Sequence, residues 1–292
     1  MGILSPAEVV RSLSDMSKHK AETSWFSIII LSMMAGGAIA LGDIFWAHSV
    51  VQVGEKLAPG IANFIGGFAF SVGLMLVVFF GGHLFTSSTL TTVTVLEKKL
   101  DTFRGIISYW TVVWIFNFVG AVLMAFIYFY SGLPLKFNGW IAQHFVEVGA
   151  AKCSLSFLEA FLRAILCNVL VCCAVWLGIS SKDAAGRIWG IAFAIAAFVA
   201  SGYEHCVANM FIITHALICK AYYLIQVGGD LKALSELLHH FPVEKLANLD
   251  IKHFLIKNEI PVTLGNIVGG ALFVGIAGFL GHKEDIEKIS SN

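Results

Sequence analysis

The chain has 292 residues, of which 58% are hydrophobic and only 13% charged, with a mean hydropathy of +0.82. Soluble domains use about 25% charged residues, so this composition cannot cover a water-facing surface and excludes a cytosolic enzyme, a disordered chain and a coiled coil. Nineteen Lys and Arg balance nineteen Asp and Glu, which leaves no basic excess for a nucleic-acid partner.

At the N-terminus, Ser5-Pro6-Ala7-Glu8 predicts a helix start with a Ser acceptor, Pro in the first turn and Glu three residues after the cap. Val9, Val10, Leu13 and Met16 then share one helical face. The expected element is a short amphipathic helix within residues 1–24, on the membrane or against the rest of the chain.

A helix crossing a hydrocarbon core needs about 20 mainly apolar residues. Six stretches qualify: 25–46, 57–96, 105–135, 155–180, 188–225 and 260–281. The second runs for 40 residues without Lys, Arg, Asp or Glu, and it and the fifth are too long for one crossing. The expected fold class is an all-α polytopic membrane protein, with a six-helix domain over 25–282 and a tail over 283–292. Within the polar loop 228–258, Leu231, Leu234, Leu237 and Leu238 predict a small helix packed on the outer mouth. Arg11, Lys18, Lys20, Lys98, Lys99, Arg104, Lys182, Arg187, Lys283 and Lys288 crowd the short segments on one side. The other side has Lys56, Lys136 and Lys152, then lysines spread thinly through the long loop. That bias predicts a multi-pass protein of the cell's inner membrane with both termini in the cytoplasm. The six cysteines lie in or beside apolar stretches without a CxxC pair, as expected of buried thiols.

The third and sixth stretches resemble each other. Asn117-Phe118-Val119-Gly120-Ala121-Val122-Leu123 aligns with Asn266-Ile267-Val268-Gly269-Gly270-Ala271-Leu272. Copies three spans apart imply repeats of three spans each, about 25–135 and 155–282. An odd span number inverts the second copy. The two over-long stretches then correspond, and each holds a polar interruption. One is Gly81-Gly82-His83-Leu84-Phe85-Thr86-Ser87-Ser88-Thr89, the other Ser201-Gly202-Tyr203-Glu204-His205-Cys206-Val207-Ala208-Asn209. Broken helices at membrane depth survive only where protein or a water-lined cavity satisfies them. Paired, they point to a substrate path, with half-helix N-termini suited to an anion. The Thr/Ser run also reads as ordinary helix with hydroxyls bonded to preceding carbonyls. Glu204-His205 also reads as a loop pair between two short interfacial helices.

Leu84-Phe85-Thr86-Ser87, Gly202-Tyr203-Glu204-His205 with Ala208-Asn209-Met210, and Ile260-Pro261-Val262-Thr263-Leu264-Gly265-Asn266 together resemble the formate/nitrite transporter family, from about residue 21 to residue 280. Phe211 and the Ser87-Ser88-Thr89 run are closer to its formate channels than to its nitrite channels. The resemblance implies an aquaporin-like six-helix protomer in a homopentamer, one pore per protomer; no cofactor and no metal is expected. It implies an outer constriction of Phe70, Phe198 and Asn168 and an inner one of Leu74, Leu84, Phe85 and Val171. It also assigns Thr86 to the first break, His205 to the pore centre, and Lys152 to the loop before the fourth helix. His83 departs from the pattern, standing where members usually carry Asp or Glu.

The function this implies is passage of a small monovalent anion of a weak acid, formate first, then nitrite, hydrosulfide, acetate or lactate. Stripping water from an unpaired anion between apolar rings is costly, so a small acid passes more readily when neutral. Lys152 would attract the anion, His205 would relay a proton with Thr86 and Asn209 beside it, and Glu204 would orient the break. A nitrite or hydrosulfide channel on the same fold is the alternative. An intramembrane metalloenzyme is remote, because His205 and His215 are ten apart and do not share a helical face.

Overall fold

The structure is a computed structural model that describes residues 2–51, 53, 57–97 and 103–291. Lys56, Lys98 and Lys99 lie outside the described residues, as does the side chain of Arg104. Helix α1 (Pro6–Glu22) begins at a capping box in which Ser5 accepts from the Glu8 backbone and Glu8 Oε2 from the Ser5 backbone. It packs on the bundle, with Val9 and Leu13 against Leu90, Val175 and Val274, and Val10 against Val93 and Phe279. Met16 turns outward.

The membrane-spanning elements follow as α2 (Trp25–Val50), α3 (Pro59–Phe79), α4 (Phe85–Ser88), a 3₁₀ turn (Thr89–Thr91), α5 (Thr92–Leu96) and α6 (Phe103–Tyr130). Then come α7 (Trp140–Cys153), α8 (Phe157–Ser180), α9 (Ala184–Ala200), α10 (Cys206–Gln226), α11 (Leu231–Leu237) and α12 (Val243–Asn248). The last span joins a π-helical turn (His253–Glu259), α13 (Ile260–Ile267), a second π-helical stretch (Val268–Ile276) and α14 (Ala277–Gly281), before α15 (Lys283–Ser291). Among the described residues six helices are long and apolar enough to cross a membrane. Exposed Phe45, Leu123, Leu166 and Phe273 turn outward from them, as does Phe193 from the shorter α9, as suits a lipid or subunit contact.

Helix α2 packs between α3 and α6, and α8 packs between α9 and α13. The two trios meet where α3 contacts α9, and α10 packs on α6 and α7. The glycine of each Asn-x-Val-Gly copy sets one close crossing within a trio. A Cβ on Gly120 would collide with the Met33 carbonyl, and one on Gly269 with the Ile165 carbonyl. Small residues permit such backbone approach in membrane bundles.

Three elements differ from expectation. The segment before the fourth span is helix α7, which carries Lys152 in its last turn rather than in a loop. The final span begins at His253, seven residues earlier than the apolar run. In the 228–258 segment, α11 and α12 bury Leu234, Leu238 and Leu246, whereas Leu237 faces outward.

Candidate functional site

The two interruptions are built alike. Helix α3 ends in a turn where Gly82 N donates to Val77 O and Gly81 takes φ +73°. Helix α9 ends where Tyr203 N donates to Phe198 O and Gly202 takes φ +70°. A side chain at either position would be strained, and Gly is the residue that tolerates it. The chain then runs extended into α4 and α10.

Both extended segments are held by the repeated asparagine. Asn117 Oδ1 accepts from Phe85 N at 2.8 Å, and its Nδ2 donates to Ser32 O and His83 O. Asn266 Oδ1 accepts from Cys206 N at 3.0 Å, and its Nδ2 donates to Ala164 O and Glu204 O. Each amide thus satisfies backbone groups that a broken helix leaves open. The breaks are shorter than the polar runs that mark them. From Phe85 onward the Thr/Ser run is helical, with Thr89 Oγ1 donating to Thr86 O, Thr91 Oγ1 to Ser88 O and Thr92 Oγ1 to Thr89 O. From Cys206 onward the second is helical as well.

The two half-helices start side by side. Thr86, in the first turn of α4, lies 2.8 Å from His205 Nε2, and His205 is the N-cap of α10. His205 Nδ1 accepts from Ala208 N at 3.0 Å. In the neutral ring that acceptor role puts the hydrogen on Nε2, which donates to Thr86 Oγ1. Beside it Lys152 Nζ donates to Glu204 Oε1 at 2.9 Å, and Asn209 Nδ2 donates to Glu204 Oε2 at 2.7 Å. Asn258 closes the network, accepting from Asn209 Nδ2 at 2.8 Å and donating to Lys152 O at 3.0 Å.

A cavity of about 590 Å³ opens onto this network, with Phe70, Phe198 and His205 in its wall. Phe70 and Phe198 meet edge to face with ring centroids 5.5 Å apart, and His205 stacks on Phe198 at 6.0 Å. A second cavity, of about 330 Å³, lies against α1 and is lined by Val77, Ser87, Leu90 and Val175. No described residue lines both. Along α3, Phe70 faces the first cavity and Val77 the second, so Leu74 falls between them. Val171 falls one turn before Val175 on α8 and is buried with Leu74, Leu84 and Phe85 in one apolar cluster.

Lys152, His205, Glu204 and Asn209 line the first cavity together with Phe70 and Phe198, and Thr86 reaches them through His205. Asn168, grouped with the outer aromatic pair by resemblance, donates at the first break to Thr86 O at 3.1 Å and to Asn266 O at 2.6 Å. His83 is buried against Tyr109, whose hydroxyl lies 2.9 Å from Nδ1. Two residues of the site carry no motif in the sequence. Asn258 belongs to a stretch that reads as polar loop. Asp43 lines the cavity and is buried, and its only signal is being the sole acidic or basic side chain in 25–46. Formal charge on the cavity wall cancels, with Lys152, Arg163 and Lys245 against Asp43, Glu159 and Glu204. Among the described residues no group of three or more His, Cys, Asp or Glu is placed to hold a metal ion.

A family model described as formate/nitrite transporter matches residues 7–280. Formate channel FocA of Haemophilus influenzae is 37% identical over 278 residues, covering 94% of this chain and 93% of that protein. A probable formate transporter of Methanothermobacter thermautotrophicus is 36% identical over 286 residues, covering 92% and 94%. Among solved structures, a pentameric formate channel with formate bound superposes with a TM-score of 0.76 at 30% identity, covering 89% of this chain and 98% of that one.

Proposed function

The chain belongs to the formate/nitrite transporter family, and from that membership we propose that it conducts formate across the inner membrane as a homopentamer with one path per protomer. The observation that carries the reading is the contact of His205 with Thr86 at the meeting of two broken helices, between two cavities that no described residue joins. The half-helices belong to two inverted three-span repeats in this reading, and both termini are cytoplasmic. The matched asparagines and glycines of the two breaks support the repeat.

Formate enters the first cavity and meets Lys152, whose pairing with Glu204 uses one of its three N–H donors and leaves donors for an anion. Beyond it the aromatic pair Phe70 and Phe198 disfavours a bare charge. His205 offers Nε2–H there as a donor. Giving that proton away requires a second one at Nδ1 first, because loss from the neutral ring would leave an imidazolate. Protonation of Nδ1 breaks its bond from Ala208 N. Relay through His205 is thus tied to opening the cap of α10.

Uptake of labelled formate into proteoliposomes tests the reading, with nitrite, hydrosulfide, acetate and lactate as competitors. Saturable formate uptake, competed weakly by nitrite and hydrosulfide, is expected. Uptake of nitrite or hydrosulfide with none of formate would reassign the substrate on the same fold.

A further inference from the structure

Asp43 has no place in the mechanism above, yet it lines the same cavity. It is 2% exposed, and its Oδ2 is buried without a hydrogen-bond partner among the described residues. Every other acid on the cavity wall near the path is satisfied. Glu204 is held by Lys152 and Asn209, and Glu159 by the Ser156 backbone and hydroxyl. The register of α2 places Asp43 beside the outer constriction. A Cβ on its neighbour Gly42 would come within 2.8 Å of the Phe70 carbonyl, while Asp43 and, one turn on, Trp46 face the cavity.

A buried carboxyl oxygen with no hydrogen-bond donor, in a cavity whose Lys152 is already bonded to Glu204, is costly, and such groups in a transmembrane segment are functional by default. A proton on the carboxyl, aimed at a bound acceptor, removes that cost. The best acceptor is another carboxylate, since an O–H···O⁻ bond is short and charge-assisted. Its strength grows with the basicity of the acceptor. Formate is a far better acceptor in that sense than nitrate or chloride.

We infer that Asp43 is a specificity-determining residue of the outer vestibule, which as the protonated acid donates a hydrogen bond to the permeating carboxylate and so favours weak-acid anions over those of strong acids. Nothing is transferred in this step; the proton stays on Asp43 and the anion leaves as it came. The inference rests on the formate-channel reading and names how that path selects its substrate.

The test is the ratio of formate to nitrate flux in proteoliposomes, for the parent, Asp43→Asn and Asp43→Leu. Asp43→Asn is nearly isosteric and keeps a donor, but an amide N–H discriminates far less by acceptor basicity. The ratio should fall at least fivefold in Asp43→Asn and further in Asp43→Leu, with the oligomer unchanged on size exclusion. An unchanged ratio in folded Asp43→Asn overturns the inference even if the parent conducts formate well. Absence of formate flux in the parent overturns the channel reading itself, so the two failures are distinguishable. Should Asp43→Leu fail to assemble, Asp43→Asn alone decides.

Discussion

Lys152 and Glu204 are an ion pair at 2.9 Å with side chains 15% and 4% exposed. Removing one member of a buried pair leaves the other charge uncompensated, at a cost of about 3–5 kcal/mol. Lys152→Met should therefore lose both formate flux and stability. Adding Glu204→Gln should recover most of the stability without recovering flux, as read by thermal unfolding and liposome uptake of the same preparations. Flux returning in the double variant would remove the lysine from the path. His205 invites a different substitution. Asparagine caps helices well and can still accept from Ala208 N, so His205→Asn should assemble normally. Without a titratable ring the pH dependence of flux should flatten. A profile identical to the parent's would take His205 out of proton movement.

The unit that recurs at the next level up is an asparagine clamping the start of a half-helix. Asn117 and Asn266 each make three hydrogen bonds to backbone groups from two other segments. A buried backbone group left unpaired costs about 1–3 kcal/mol. Asn117→Ala and Asn266→Ala should each destabilise the protein by at least about 3 kcal/mol in detergent unfolding. A loss below about 1 kcal/mol would mean that the breaks hold themselves. The Asn-x-Val-Gly copies were legible in the sequence, and so were the two breaks, because polar residues and glycine stand out in an apolar run. The breaks looked longer than they are, since Ser and Thr are polar by composition but satisfy themselves by bonding to carbonyls three residues back. Helix α7 was hidden by its polar content, as was the π-helical start of the last span, which carries Lys257, Asn258 and Glu259. Asn258 was missed with it, and Asp43 because one carboxyl in an apolar helix leaves no pattern.

For the whole molecule, the bundle and its N-terminal helix are joined at the first break, where Lys20 Nζ donates to Gly82 O at 2.8 Å. Burial pushes the Lys20 ammonium down to about 8. Between about pH 8 and the ordinary lysine value of about 10.4, the docked helix holds fewer protons than an undocked one. Docking should therefore strengthen as pH rises through that window and stay level below it. Hydrogen exchange across α1, corrected for intrinsic rate, should slow over this range in the parent and not in Lys20→Met. Equal slowing in both would place the titration elsewhere. Composition made the membrane class legible but not the assembly, which only the family resemblance implies, because exposed apolar side chains serve lipid and a neighbouring subunit equally. A particle mass of five protomers is the expected result for the solubilised protein.

The claim beneath all of these is that a weak-acid anion crosses through the cavity that Lys152 and His205 line. Formate influx into proteoliposomes, followed in parallel for the parent, Lys152→Met/Glu204→Gln and protein-free vesicles, tests it most directly. Saturable influx in the parent, falling to the protein-free rate in the folded double variant, is the predicted result. Parent influx no faster than in protein-free vesicles, or equal influx in parent and double variant, would contradict it.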